Sequence, residues 1–316
     1  MRLASRGLLF FCSLIFLASS CSFFQAGWAG QLCPGDIRPS ILAGTWYPDN
    51  PEQLAHLIRK FLSNAHIPHI DGRLKALIVP HAGYRYSGQV AAYAYRLLES
   101  RSFKRVILVG PSHRVPFAGI SVNLQRGYQT PLGIVKVDVS TAKEILEADP
   151  AVHFYKNVHS VEHCLEIQLP FLQTLLKDFS IVPILMGSQD FNTSKTLSKI
   201  LSKLLPSLRE TLLVASSDLS HYHRYSDAKR LDSHFINLVG KMDPEGLYEA
   251  LRTGKCEACG GGAVVSIMLV CKALGAHKVV VLKSANSGDV TGEKERVVGY
   301  MAGAIFTSSG RDPHPK

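Results

Sequence analysis

Three times in this chain a short apolar run ends abruptly and is followed within a few residues by a histidine. The runs are Ala76-Leu-Ile-Val79 before Pro80-His81, Arg105-Val-Ile-Leu-Val109 before Gly110-Pro-Ser-His113, and Thr211-Leu-Leu-Val214 before Ala-Ser-Ser-Asp218-Leu-Ser-His221. Short runs rich in β-branched residues, with no polar alternation, are the pattern of strands buried on both faces of an α/β sheet. Proline donates nothing to a ladder, so Pro80 stops the first strand. Open α/β sheets place their ligands beyond the carboxyl ends of such strands. One histidine in a strand-to-helix turn is ordinary; the repetition predicts a single convergent site.

Between these runs, helix and strand patterns alternate. Pro51-Glu-Gln-Leu opens a helix to about residue 62, and residues 89–98 and 141–148 also read as helices. Residues 119–122 and 133–139 read as strands, and 180–187 as another buried one. The stripe Leu165, Leu169, Leu172 and Leu176 predicts one long helix over 160–177. Helices over 192–204, 227–239 and 244–253 follow, then one opened by Cys259-Gly-Gly-Gly, and strands over 278–283 and 297–306 close the chain. No linker splits the middle. The expected fold class is α/β: a single-domain, three-layer α/β/α sandwich with a central mixed sheet over residues 37–308, followed by a mobile tail at 309–316.

The amino terminus reads as a targeting segment. Arg2 and Arg6 precede an apolar stretch at 7–17 that is too short to span a bilayer. Leu17-Ala-Ser-Ser-Cys21 resembles a bacterial lipoprotein signal, which makes residues 1–20 a signal peptide and 21–36 a linker. Cleavage after Ala29 is the rival. The expected location is the periplasm, anchored to the membrane through a lipid on Cys21, with a cytoplasmic protein as the alternative. Apolar residues make up 46% of the chain and charged ones 19%, which excludes a disordered protein. The net charge is +10, yet Lys and Arg are scattered without interleaved aromatics, so no nucleic-acid partner is expected. Of the cysteines, Cys33, Cys164, Cys256, Cys259 and Cys271 lie beyond the leader. That odd number makes no disulfide framework and leaves a thiol free or metal-bound.

His81 and His113 form the natural metal pair, because neutral imidazole is the commonest metal ligand. Cys259 is a third candidate, at a helix start whose positive end would lower its thiol pKa; a small core residue is the plainer reading. A His, His, Cys set suits iron, copper or zinc better than magnesium or calcium. Asp218 and His221 read as an acid–base pair in which the carboxylate orients the imidazole, or as a helix cap with an exposed histidine. His159-Ser-Val-Glu162-His163 fits the H-x-x-E-H pattern of inverted zincins, which would make the chain a zinc hydrolase. Its plainer reading is the polar first turn of the 160–177 helix, with His163 and Glu166 standing behind the ligands. Cys256-Glu-Ala-Cys259 is a lone C-x-x-C, and Gly260, Gly261 and Gly262 could offer backbone N–H groups to an anion.

Taken together, the motifs resemble the Memo family, also called AmmeMemoRadiSam system protein B. The resemblance spans residues 37–306 and rests on Ala43-Gly-Thr-Trp-Tyr-Pro48, Pro80-His-Ala-Gly-Tyr84 and Gly110-Pro-Ser-His113. It continues through Glu162-His-Cys-Leu-Glu-Ile-Gln-Leu-Pro170, Ser216-Ser-Asp-Leu-Ser-His221, Cys259-Gly260 and Ser287-Gly-Asp-Val-Thr-Gly292. The family is similar in fold to class III extradiol ring-cleaving dioxygenases, which hold non-haem iron(II) by two histidines and a glutamate. The resemblance implies that His81 and His113 match those histidines, that Cys259 falls where the glutamate would be, and that Asp218 and His221 share the pocket. It implies a mononuclear site, iron(II) first with copper or zinc as alternatives, and redox or oxygenase-type chemistry on a small-molecule or anionic substrate. The alternative is a binding module that captures an anionic or phosphorylated ligand without turnover. A functional link to a radical-SAM protein also follows from the family. Two departures stand out: Cys259 brings a softer, oxidisable donor than glutamate, and the leader implies export in a family thought of as cytoplasmic.

Overall fold

The apolar runs form the centre of a mixed sheet in a computed structural model that describes residues 36–307. The expected signal peptide at 1–20, the expected linker at 21–36 but for residue 36, and the expected tail at 309–316 lie outside the described residues. The chain runs β1 (Ile37–Arg38), α1 (Pro51–Asn64), β2 (Leu74–Val79), α2 (Tyr84–Tyr95) and β3 (Arg105–Pro111). Next come β4 (Ile120–Val122), β5 (Gly127–Thr130), β6 (Gly133–Val137), α3 (Val139–Glu147), β7 (Val152–His153), α4 (Lys156–Val161) and α5 (Leu169–Leu175). The second half holds β8 (Ser180–Met186), α6 (Phe191–Leu204), β9 (Thr211–Ser216), β10 (His221–His223), α7 (Tyr225–Gly240) and α8 (Pro244–Arg252). It closes with α9 (Gly261–Ala273), β11 (Lys278–Asn286), α10 (Ser287–Thr291) and β12 (Val297–Phe306).

The sheet order is β1-β5-β6-β8-β3-β9-β2-β12-β10, with β11 paired to β12. The neighbours β8, β3, β9 and β2 are parallel, whereas β12 runs antiparallel to β2 and carries β11 and β10 antiparallel beside it. Alternation along the strands builds the layers. Leu77 and Val79 of β2 join one core, with Ile58 of α1, Ala91 of α2 and Phe171 of α5. Ala76 and Ile78 join the other, with Leu197 of α6, Phe235 of α7 and Val265 of α9. Successive strand residues face opposite sides, so a run apolar at every position must be covered twice. The described residues 36–307 belong to one unit, a three-layer α/β/α sandwich. Among the described residues no helix is long and apolar enough to cross a membrane.

One expected element breaks up. The helix over 160–177 is α4, then an extended residue at Glu162 (φ −89°, ψ 135°), a 3-10 turn at Glu166–Gln168, and α5. Pro170 stands in the first turn of α5, where its missing N–H costs nothing; inside one long helix it would remove a hydrogen bond and clash with the preceding turn. The leucine stripe belongs to buried residues of the turn and α5, not to a continuous face. The break turns the Glu162 carboxylate towards the sheet.

Candidate metal centre

β3, β9 and β2 are adjacent, so the residues just past their carboxyl ends, His113, Asp218 and His81, arrive side by side. His81 is 2% exposed. Its ring centroid lies 5.0 Å from that of His113 and 5.5 Å from that of His163, and the rings of His113 and His163 stack at 4.5 Å. One ligand nitrogen from each of His81, His113 and His163 falls within 4.8 Å of the others. Trp46 tilts over His163 at 4.6 Å and closes that side.

The hydrogen-bond network fixes which nitrogen of each ring is free. The Ser216 hydroxyl donates its one proton to the Cys164 carbonyl (2.7 Å) and accepts from Gln168 Nε2 (2.9 Å). Toward His81 Nδ1, 3.0 Å away, it can only accept. His81 therefore carries its proton on Nδ1 and presents a lone pair at Nε2. His113 Nδ1 lies 2.9 Å from Glu162 Oε1, and His221 Nδ1 lies 2.7 Å from the Leu219 carbonyl. Carboxylate and carbonyl oxygens accept only, so both rings also protonate Nδ1 and bare Nε2. His163 Nδ1 is buried 3.1 Å from Glu162 Oε1 but without hydrogen-bond geometry, and is left unpartnered.

Burial keeps the rings of His81 and His163 neutral. It drives the pKa of His81 down to about 3, helped by His113, and that of His163 down to about 3, helped by His81. Burial alone would raise the Glu162 carboxyl, but the hydrogen bond from His113 and the nearby His163 hold it well below the carboxylate range. Glu162 takes four donors: His113 N (2.6 Å) on Oε2, and His113 Nδ1, His163 N (2.8 Å) and Cys164 N (3.0 Å) on Oε1.

Cys259 lies beside His81, its Sγ 3.0 Å from His81 Nε2. With a lone pair on that nitrogen, the thiol is the donor. Its pKa is raised, by burial and then by Asp218, rather than lowered by the helix end as its position in the sequence predicts. Among the described residues, Cys164, Cys256, Cys259 and Cys271 are all free thiols.

Other expectations are corrected. Asp218 does not hold the ring of His221: its Oδ1 accepts from the His81 backbone N (2.7 Å), and the Leu219 carbonyl orients His221. Burial lifts Asp218 to about 6. Glu166 does not approach the histidines. It is fully buried against Arg38 (2.5 Å) and accepts from Ser40 Oγ, Tyr47 OH and the Leu42 N–H. Its work is to tie down the segment that carries Trp46. His163 stands in the histidine cluster instead of behind it. His159 is elsewhere, with Nε2 bonded to Ser121 Oγ (3.1 Å) and Nδ1 to Tyr128 OH (3.2 Å), so the H-x-x-E-H zinc pair does not form. The glycine run offers no anion cradle, because Gly260 N donates to Ser217 Oγ and Gly262 N to Gln189 Oε1. A Cβ on Gly260 would strike the Ser216 carbonyl oxygen, so the glycine is there to let the start of α9 approach β9.

Sequence reasoning missed Glu162 as an organiser, along with Trp46, Ser216 and Gln168. A lone acid in the otherwise uncharged stretch 157–165, next to a histidine, was the available signal for Glu162. A cavity of about 830 Å³ opens over Trp46, His81, His113, His163, Asp218 and His221. A second, of about 660 Å³, reaches Cys259 from the α9 side past His113, His221 and Gln189.

The family model described as "Memo-like protein" matches residues 38–304. A "MEMO1 family protein" of Nitrosopumilus maritimus is 36% identical over 272 residues, covering 84% of this chain and 98% of the relative. Another, from Ignicoccus hospitalis, is 37% identical over 277 residues, covering 84% and 97%. Among solved structures, an uncharacterized protein of Escherichia coli K12 aligns with a TM-score of 0.49 at 13% identity, over 74% of this chain and all of that one.

Proposed function

This chain belongs to the Memo-like protein family, and from that premise we propose that it is a metal-dependent oxidoreductase acting on a small organic substrate. His81, His113 and His163 would hold a single metal ion, iron(II) before copper or zinc, with Cys259 as a further donor. The observation that carries this reading is the cluster of three imidazoles in which the Nδ1–H groups of buried His81 and partly exposed His113 are tied back, leaving their Nε2 lone pairs free. Metal sites commonly fix their histidines by such a bond on the far nitrogen. The orphaned Nδ1 of His163 also fits a missing partner.

A bound iron ion would supply one-electron redox chemistry and positions for small ligands that no side chain offers. The chain's own groups do the rest. Cys259 would hold the cation as a thiolate, giving up the proton it now shares with His81, so binding would strengthen as pH rises. His221 Nε2 is free to take or return a proton at the cavity wall, and the His81 backbone N–H holds Asp218 in place below it. Trp46 limits water on the His163 side. The leader supports an exported protein anchored by lipid at Cys21, and the family supports a radical-SAM protein as a functional partner.

Metal analysis of anaerobically purified protein tests the reading. About one metal ion per chain is expected, lost in the double variant His81→Ala/His113→Ala with the fold retained. Stoichiometric metal surviving that change would sink the site.

A further inference from the structure

We propose that the chamber above the histidines takes a ring-bearing carboxylate, its carboxylate held at the mouth by Arg85, Arg114 and Arg296 and its flat ring lying against the aromatic wall. This deepens the metal-dependent reading by naming a substrate class, and it rests on that reading only for what happens after binding.

Three guanidinium groups from separate parts of the fold line the cavity of about 830 Å³: Arg85 on α2, Arg114 after β3 and Arg296 just before β12. That volume is ordinary for a small-molecule site. All three arginines are exposed, and among the described residues no ion pair joins any of them to a carboxylate. The one acid in the lining is Asp218, which is 4% exposed and engaged with the His81 N–H. The mouth is therefore cationic, with Asp218 as the one acid among its lining residues, and its field draws anions inward.

The wall chooses the rest of the ligand. Arg85 lies over the ring of Tyr86 at 5.8 Å and Arg296 over that of Tyr222 at 5.1 Å. Tyr222 is 62% exposed and held at φ +63°, a conformation bulky side chains avoid. Strained, exposed aromatics at a cavity mouth point to recognition rather than packing. Trp46, half-buried over His163, supplies one more face. At the start of α2 beside the mouth, Tyr84 N is spent on the Trp46 carbonyl and Tyr86 N on that of Gly83, so two of the backbone N–H donors a phosphate would favour are taken. Recognition falls to guanidinium side chains, which match a carboxylate through paired donors.

The test is a ligand-observed NMR titration of benzoate into metal-free full-length protein, with benzyl alcohol, cyclohexanecarboxylate and phenyl phosphate as comparators. Benzoate should bind in the millimolar range or tighter, and each comparator at least about tenfold more weakly. Arg114→Gln/Arg296→Gln should lose about tenfold for benzoate and retain full metal uptake, measured on the same preparation. Undetectable benzoate binding, or an unchanged affinity in the double variant, overturns the site. Equal binding of benzyl alcohol overturns the anion requirement, equal binding of cyclohexanecarboxylate the ring, and tighter phenyl phosphate the carboxylate. Benzoate binding without metal uptake would leave this site standing and remove the metal reading; the converse would remove this site alone.

Discussion

Replacing Glu162 by glutamine keeps the shape of the side chain and changes only its charge and one acceptor. If the amide oxygen takes the place of Oε1, it can still receive His113 Nδ1, His163 N and Cys164 N, but the NH₂ group then faces the His113 backbone N–H. Losing that bond and burying two opposed donors costs about 1–3 kcal/mol. The three remaining bonds fall from charge-assisted to neutral, at about 1 kcal/mol each. Local relaxation recovers part of the sum, so about 4 kcal/mol is expected, a large share of a domain's typical stability.

The change should reach the metal centre as well. Glu162 holds the tautomer and orientation of His113 and the backbone of His163, two of the three clustered imidazoles. Removing such a support typically costs about 10–100-fold in metal affinity. Urea unfolding of the metal-free protein would read the first effect, and competition with a chromogenic chelator the second. A Glu162→Gln protein within about 1 kcal/mol of the parent, with unaltered metal affinity, would refute the claim that this carboxylate organises the site.

Three further outcomes are expected. Arg38 and Glu166 are both fully buried, so Arg38→Met should cost about 3–5 kcal/mol in urea unfolding; if the double change with Glu166→Gln costs the sum of the two singles, the pair is not coupled. Burial, and then Arg38, hold His159 at about 3 in the folded protein, so the unfolded chain, with an ordinary value near 6.5, takes up the proton first. Stability from this group is full above about 6.5 and falls as pH drops toward about 3, by about 2 kcal/mol at about pH 5; that part of the pH dependence should vanish in His159→Gln, and a parallel profile would count against it. Gly260→Ala should impair folding or metal uptake through the Ser216 carbonyl, whereas Gly240→Ala, with open space at its Cβ, should be neutral or slightly stabilising by thermal melt.

The scaffold was legible because it obeys short-range rules. Val297–Phe306 coincides with the strand expected there, and β2, β3, β8 and β9 lie where unbroken apolar runs required strands. The placement of His81, His113 and Asp218 followed, because parallel neighbours deliver the residues past their ends to one edge. Two-residue or polar elements were not legible, although the short strand expected over 119–122 is β4. β10 is His221–His223, too polar to read as a strand, and β1 and β7 have two residues each. Their strand character comes from a partner, β12 for β10 and β5 for β1, which no local pattern reveals.

The harder failure was in assigning roles to acids. Glu162, Glu166 and Asp218 look alike in sequence, each beside or near a histidine, yet they end in different environments. Glu166 meets a guanidinium and five hydrogen bonds from the 38–47 segment, among them both Ile41 N contacts, and becomes an anchor. Asp218 meets a backbone N–H and is pushed up to about 6 by burial. Glu162 meets the His113 imidazole and three backbone N–H groups and is held ionised. Each outcome depends on a donor distant in sequence: 128 positions for Arg38 to Glu166, 49 for His113 to Glu162, and 137 for His81 to Asp218. A carboxylate's role is thus a property of what the fold brings to it. The same holds for Cys259, whose place at a helix start favours a thiolate while burial beside Asp218 favours the thiol. A cation on His81 would reverse that balance, so the thiol's ionisation reports whether the centre is filled.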